Sequence, residues 1–441
     1  MRFFIILSLY LGLSSCSRIR GYPNIKEFEE EFGKTYTADD EVKAEENLLE
    51  NEARIKANNK LYAEGKSNFQ EAVMAWDDLS PEEFLAEKTG DLDGQGQVRN
   101  YGLLIADRYN SPEMQDLLDA FYPTVTVPDQ AIRDGFDARD FHIVTEVKDQ
   151  GSCGSCSAFA ATSQHETCFL DQGLQKYRKE MDLFEQQLLE CAYDGVDALG
   201  CKGAYIKAYP RFLYEKYNGL VHHENNYPYM MDRTTENCGA QEKNIPIWKA
   251  GARISGALYD DYCDEDKLMK MVYKFGSAVT VVYAGDYAFK NYRAGTVFDT
   301  CDSTQVVNHA VAVVGWGTQN GLDYWLIKNS WGKDFGDEGY IKIKRGTCGL
   351  GTRCAVAKCE RYGGIDLPVP EKTGYLKATP CDVSRKFGDV TGNTQLYYVH
   401  PDGTKVHTNV KCAHGKCTAR DPHSETNTCM ILCGRPTCER Q

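Results

Sequence analysis

The chain opens on a nearly continuous apolar run, Phe3-Phe4-Ile5-Ile6-Leu7-Ser8-Leu9-Tyr10-Leu11-Gly12-Leu13, with Arg2 before it and Ser14, Ser15 and Cys16 after it. The run falls short of the roughly 18 apolar residues that a membrane helix needs. Its order of positive, apolar and small residues predicts a cleaved signal peptide, residues 1–16. A lipid-attachment box, Leu13-Ser14-Ser15-Cys16, is the alternative. Farther along, Glu41 to Asn59 is charged and helix-favouring, and Leu48, Leu49 and Ile55 are expected to form its apolar stripe. The period then changes. Val279-Thr280-Val281-Val282, Val311-Ala312-Val313-Val314 and Tyr324-Trp325-Leu326-Ile327 are short β-branched and aromatic runs that predict strands. Leu396–Val399 and Lys405–Thr408 flank His400-Pro401-Asp402-Gly403 and predict a β-hairpin. The pattern is that of an α+β protein.

At 441 residues, the length prior is about three units. A hydrophobic share of 42% allows a sizeable core, and a net charge of −14 argues against a nucleic-acid partner. No other segment is long and apolar enough for a membrane span, and no acceptor site for N-glycans is present. From about Gly90 to Pro128 the chain is richer in Gly, Asp, Pro and Gln and reads as a linker.

The chemistry lies in three separated motifs. Lys148-Asp149-Gln150-Gly151-Ser152-Cys153-Gly154-Ser155-Cys156-Ser157-Ala158-Phe159 comes first, Asn308-His309-Ala310 much later, and Asn329-Ser330-Trp331-Gly332 last. A cysteine with a distant histidine and a more distant asparagine is a parts list for a thiol protease: nucleophile, proton acceptor, orienting amide. There are 18 cysteines. Removing Cys16 with the signal and Cys156 as nucleophile leaves an even number both in the central region and in the tail. That parity fits an oxidised, exported protein with one reactive thiol.

These motifs, in this order, resemble the papain-like cysteine peptidases (the cathepsin family) over roughly Val127 to Tyr362. The resemblance implies a two-lobed fold, a helical lobe carrying the thiol and a β-barrel-like lobe carrying the base. The helix from about Ala158 to Leu174 would put Cys156 at a helix N-terminus, where the macrodipole favours a thiolate. It implies Cys156, His309, Asn329 and Gln150 as the catalytic set, with Trp331 shielding the His309–Asn329 contact. Ser157 departs from the family pattern, which has an aromatic there, and Ala138 stands in place of a second tryptophan.

The resemblance extends upstream. Asn51, Ile55 and Asn59 fall in the register of the family's pro-domain helix motif, and Trp76 and Asp78 on the aromatic and acidic positions of its second motif. Residues 17–126 are therefore expected to be an inhibitory pro-region, residues 127–362 the peptidase, and residues 363–441 a linker with a cysteine-rich module. Acid should release a new N-terminus between about Tyr122 and Asp134. The family's disulfides imply Cys153–Cys201, Cys191–Cys238 and Cys301–Cys348. They leave Cys168, Cys263, Cys354 and Cys359 for two further bridges of open pairing. Substrate contacts are expected at Gly203, Ala204, Tyr205, Val307, Arg353 and Trp331, with Ile206, Ala284 and Ala310 as further pocket candidates.

The expected partners are protein or peptide substrates and the chain's own pro-region. A monomer is expected, in the extracellular space or lysosome, with no cofactor and no metal. The function this implies is a zymogen of a cysteine endopeptidase. The alternative is a non-catalytic papain-like binding protein whose cysteine-rich tail does the work.

Overall fold

A computed structural model describes residues 21–90 and 112–361, apart from 174–180, 194–196, 232–251 and a few shorter stretches. Beyond 361 it describes the backbone of a three-stranded and a four-stranded sheet. The signal segment and Cys238 lie outside the described residues.

The first unit is built on the helix Ala38–Ala63. Thr37 caps it by accepting from the Asp40 N–H, and Asp39, Asp40 and Glu41 face the positive end of its dipole. Ala44, Leu48, Asn51 and Ile55 recur at three- and four-residue spacing and are buried. With Tyr22, Ile25, Phe28 and Val73 they close a small core of their own. Leu49 does not join the stripe. It is 56% exposed, because a residue next to Leu48 is turned by about 100° around the helix.

The two asparagines of the pro-domain register act as clamps on the following segment. Asn51 donates to the Asp77 carbonyl at 2.9 Å. Asn59 brackets Glu71, donating to its carbonyl at 2.8 Å and accepting from its N–H at 2.9 Å. Held this way, Phe69–Glu71 adds as an antiparallel strand to Tyr292–Gly295 of the peptidase region. The helix Pro81–Lys88 follows, started by a reciprocal capping box between Ser80 and Glu83. It aims Lys88, Thr89 and Gly90 at the centre of the molecule.

The peptidase region has two lobes. One is helical, around Cys156–Asp171, every residue of which is buried, with Glu185–Cys191 and Ala208–Tyr217 beside it. The other is an antiparallel sheet in the order Ala252–Asp260, Cys354–Arg361, Ala278–Val282, His309–Gln319, Leu322–Lys328, Tyr340–Lys344, with Phe136–Asp137 pairing on the fourth of these. His309–Gln319 and Leu322–Lys328 are joined by Asn320-Gly321, both at positive φ (52° and 77°). That is the two-residue turn that matches strand twist. Because the hairpin is tight, His309 at the start of one strand and Asn329 just past the end of the other lie at the same end of the sheet.

Four disulfides are described. Cys153–Cys201 and Cys301–Cys348 brace loops, while Cys168–Cys359 and Cys263–Cys354 tie helix and loop to the sheet. The last two supply the pairing that the sequence left open. Cys191 is also disulfide-bonded.

Part of the stretch read as a linker lies within the described residues and is helical. Pro112–Phe121 is a helix that buries Leu118 to 1% exposure, and Phe121 stacks on Phe275 at 5.7 Å. Apolar side chains at Leu118 and Phe121 decide this against the local Gly, Asp and Gln content. In the tail, Leu396–Val399 pairs antiparallel with Lys405–Thr408, the hairpin expected there.

Candidate active site

Cys156 is the first residue of the buried helix and stands outside the disulfides. Its sulfur accepts from the Ala310 N–H at 3.5 Å, which fixes the thiol against the strand that begins at His309. His309 Nε2 lies 2.7 Å from Asn329 Oδ1. With Asn329 accepting, Nε2 carries the proton and Nδ1 is left as the basic nitrogen. Nδ1 is buried and has no hydrogen-bond partner among the described residues. Trp331 covers the pair, its ring centroid 4.7 Å from that of His309. Burial pushes the imidazole down to about 4, opposed by the Asn329 bond.

Gln150 is fully buried and held from both sides. Ser330 Oγ donates to its Oε1 at 2.7 Å, which turns its Nε2 outward. Nε2 donates to the Cys153 carbonyl at 2.9 Å and to the Lys88 carbonyl at 3.2 Å. Trp331 Nε1 reaches the same Lys88 oxygen at 3.3 Å. A pro-region carbonyl thus occupies the amide that the family resemblance places in the catalytic set. Ser330 was not singled out from the sequence, although it lies inside the Asn-Ser-Trp motif.

Beyond Lys88, the Gly90 N–H donates to the Asn308 carbonyl at 3.2 Å. A Cβ on Gly90 would meet the Gly154 carbonyl at 2.8 Å and the Cys156 sulfur at 3.3 Å. A Cβ on Gly203 would overlap the Gly90 carbonyl at 1.4 Å, and Gly203 has φ +104°. Two glycines therefore allow one backbone to lie on the other directly beside the thiol. Gly203 was expected to contact an extended peptide. Here its N–H goes to the Gly200 carbonyl and its own carbonyl takes the Leu199 N–H, so it receives the pro-segment by contact.

The pro-region is anchored by aromatic packing. Trp76 and Phe84 meet Trp331 edge-on at 5.5 Å each. Lys88 lies 5.2 Å over the Trp76 ring and donates to the Gly151 carbonyl at 2.8 Å, with burial lowering its pKa. Asp78 holds Lys34 at 2.5 Å and Tyr36 at 2.7 Å, while Asp77 takes Asn291 Nδ2 at 2.5 Å.

A cavity of about 70 Å³ opens next to Cys156. Gly203, Ala204, Tyr205, Val307 and Arg353 all line it, as do Ile206 and Ala310. Trp331 does not; it belongs to the wall contacted by Trp76 and Phe84. Ala284 is also absent from the lining, being wholly buried with its N–H on Asn308 Oδ1. Lys202, Lys207 and Asp261 line the cavity and were missed from sequence, since nothing local distinguishes them. Ser157, the departure from the family pattern, donates its hydroxyl to the Ala204 carbonyl at 2.6 Å and so ties the start of the helix to the cavity wall.

The comparisons with known proteins agree with this geometry. The model of the papain family cysteine proteases matches residues 132–362. A viral cathepsin of Heliothis zea nuclear polyhedrosis virus is 34% identical over 308 residues, 69% of this chain and 72% of that protein. Digestive cysteine proteinase 1 of Homarus americanus is 30% identical over 334 residues, 75% of this chain and 92% of that protein. Among solved structures, digestive procathepsin L2 from Tenebrio molitor larval midgut superposes with a TM-score of 0.59 at 30% identity, covering 75% of this chain and 98% of that one. With the thiol, imidazole and amide at one cleft and a pro-region lying through it, this chain belongs to the papain family of cysteine proteases.

Proposed function

We propose that this chain is an exported zymogen whose mature form is an endopeptidase using Cys156 as nucleophile. His309 Nδ1 takes the thiol proton, and the resulting thiolate is favoured by the imidazolium and by the helix N-terminus. The thiolate adds to the scissile carbonyl. The developing oxyanion is met by Gln150 Nε2 and the Cys156 N–H. His309 then gives its proton to the leaving amine, and water releases the acyl group by the reverse sequence. Asn329 keeps the ring in the tautomer this requires.

The observation that carries this reading is a pairing: the 2.7 Å His309–Asn329 bond beside Cys156, and the Lys88 carbonyl on Gln150 Nε2. The first equips the site, and the second would keep the intact chain silent. Residues 1–16 would serve as the export signal, 17–126 as the removable inhibitor, and 127–362 as the monomeric enzyme, with 363–441 carrying the cysteine-rich module. The destination is the extracellular space or the lysosome. In the described residues no helix is long and apolar enough to cross a membrane.

The test is covalent labelling. Acid-activated protein is treated with an epoxysuccinyl peptide and mapped by mass spectrometry, with Cys156→Ala as control. Modification at Cys156 alone is expected. An unlabelled Cys156 in activated protein would return the non-catalytic binding protein to first place.

A further inference from the structure

The charges around the cavity beside Cys156 do not cancel, and the excess has one sign. Two carboxylates line it. Asp197 is held by Arg211 at 3.2 Å, and Asp261 by Lys207 at 3.1 Å. Two cations line it as well without such a partner. Neither Arg353 nor Lys202 makes an ion pair or a side-chain hydrogen bond among the described residues. Lys202 is exposed at the rim, whereas Arg353 is half-buried.

The backbone at Arg353 is fixed from both sides. Thr280 Oγ1 donates to its carbonyl at 2.7 Å, and the next residue, Cys354, is bonded to Cys263. A half-buried guanidinium held in place without a counter-ion costs free energy that a ligand carboxylate would recover. Tyr205, Ile206 and Val307 supply apolar wall for the methylenes of such a ligand.

We infer that this cavity selects peptides bearing glutamate or aspartate, with the carboxylate received by Arg353 and Lys202. The position is the residue just before the one that carries the scissile carbonyl. The lining supports this placement, because it contains Cys156 and Gly203 but neither Gln150 nor Trp331. A lysine or arginine side chain finds no free carboxylate there, since both are already paired. A purely apolar side chain would bury the walls but leave the guanidinium uncompensated. This inference deepens the peptidase reading and rests on it.

The experiment is a peptide library varied at that single position, hydrolysed by the acid-activated enzyme after counting active sites with the epoxysuccinyl probe. Glu over Leu should be favoured by about tenfold in kcat/KM, a ratio of the size expected for one charge-assisted contact. The preference should shrink at high salt. Arg353→Ala should lower the Glu-to-Leu ratio by about tenfold while the variant still takes up the probe, and Arg353→Lys should restore part of it. Probe-labelled enzyme that prefers Leu or Phe to Glu overturns the inference, as does an Arg353→Ala ratio equal to that of the wild type. Failure of Cys156 to take up the probe overturns the peptidase reading beneath it instead.

Discussion

The carbonyl of Lys88 lies 3.2 Å from Gln150 Nε2, so the pro-region occupies the donor proposed above for the attacked substrate carbonyl. The same amide is aimed by Ser330 and would act in turnover and in inhibition alike. Gln150→Ala should lower kcat of the activated enzyme by roughly 10²- to 10³-fold, the usual cost of one oxyanion donor. Isolated pro-region should also bind the variant less tightly. A normal kcat in Gln150→Ala would remove this residue from the reaction.

Packing predicts where the inhibitor is strongest. Trp76 touches Trp331, Phe84 and Phe335 and donates its N–H to the Lys290 carbonyl at 3.2 Å. Truncating a buried aromatic of this kind costs about 3–5 kcal/mol. Trp76→Ala pro-region, added in trans to mature enzyme, should therefore inhibit at least 100-fold more weakly than wild type. Equal inhibition would mean that Lys88–Gly90 alone supplies the affinity.

Acid should weaken docking of the pro-region in part through His309. In the zymogen, burial holds the imidazole at about 4, below its ordinary 6.5, so opening the site to water on release of the pro-region would raise its affinity for a proton. Docking would then be at full strength near neutral pH and weaken as pH falls towards 4, by as much of the burial as the pro-region supplies. Glu71 opposes this. Burial raises its carboxyl to about 7 against the pull of Arg54, so protonating it favours docking as pH falls. Release of the pro-region, followed by fluorescence in Cys156→Ala, should have its midpoint between pH 4 and 6.5. His309→Asn should flatten the transition. An unchanged midpoint in that variant would place the triggering proton elsewhere.

Much of this was legible in the residues because the site is assembled from short local motifs. Cys156, His309, Asn329 and Gln150 each lie in a short run whose neighbours do a nearby job, as Ser330 does for Gln150. The clamp asparagines of the pro-domain were legible for the same reason. Most of what escaped was set by tertiary contact, Leu49 excepted. The Pro112–Phe121 helix is decided by burial of Leu118 against another element. Leu49 turned outward because adjacent helix positions do not share a face. Lys202 closes a short 3-10 helix, Lys207 is the N-cap of the helix Ala208–Tyr217 and Asp261 lies in a turn, and only the fold brings the three to one cavity. The pairing of Cys168 with Cys359 joins residues 191 apart in the chain, which no spacing rule connects.

The most direct test of the central claim is the alkylation rate of Cys156 by a small neutral haloacetamide at pH 7.5, read by peptide mapping. Cys156 is 2% exposed in the intact chain, with Gly90 lying directly beside its sulfur. The account predicts that the full-length protein reacts at least 100-fold more slowly than the same protein after acid activation. Equal rates before and after activation would contradict it, because the pro-region would then not be what keeps Cys156 from its substrates.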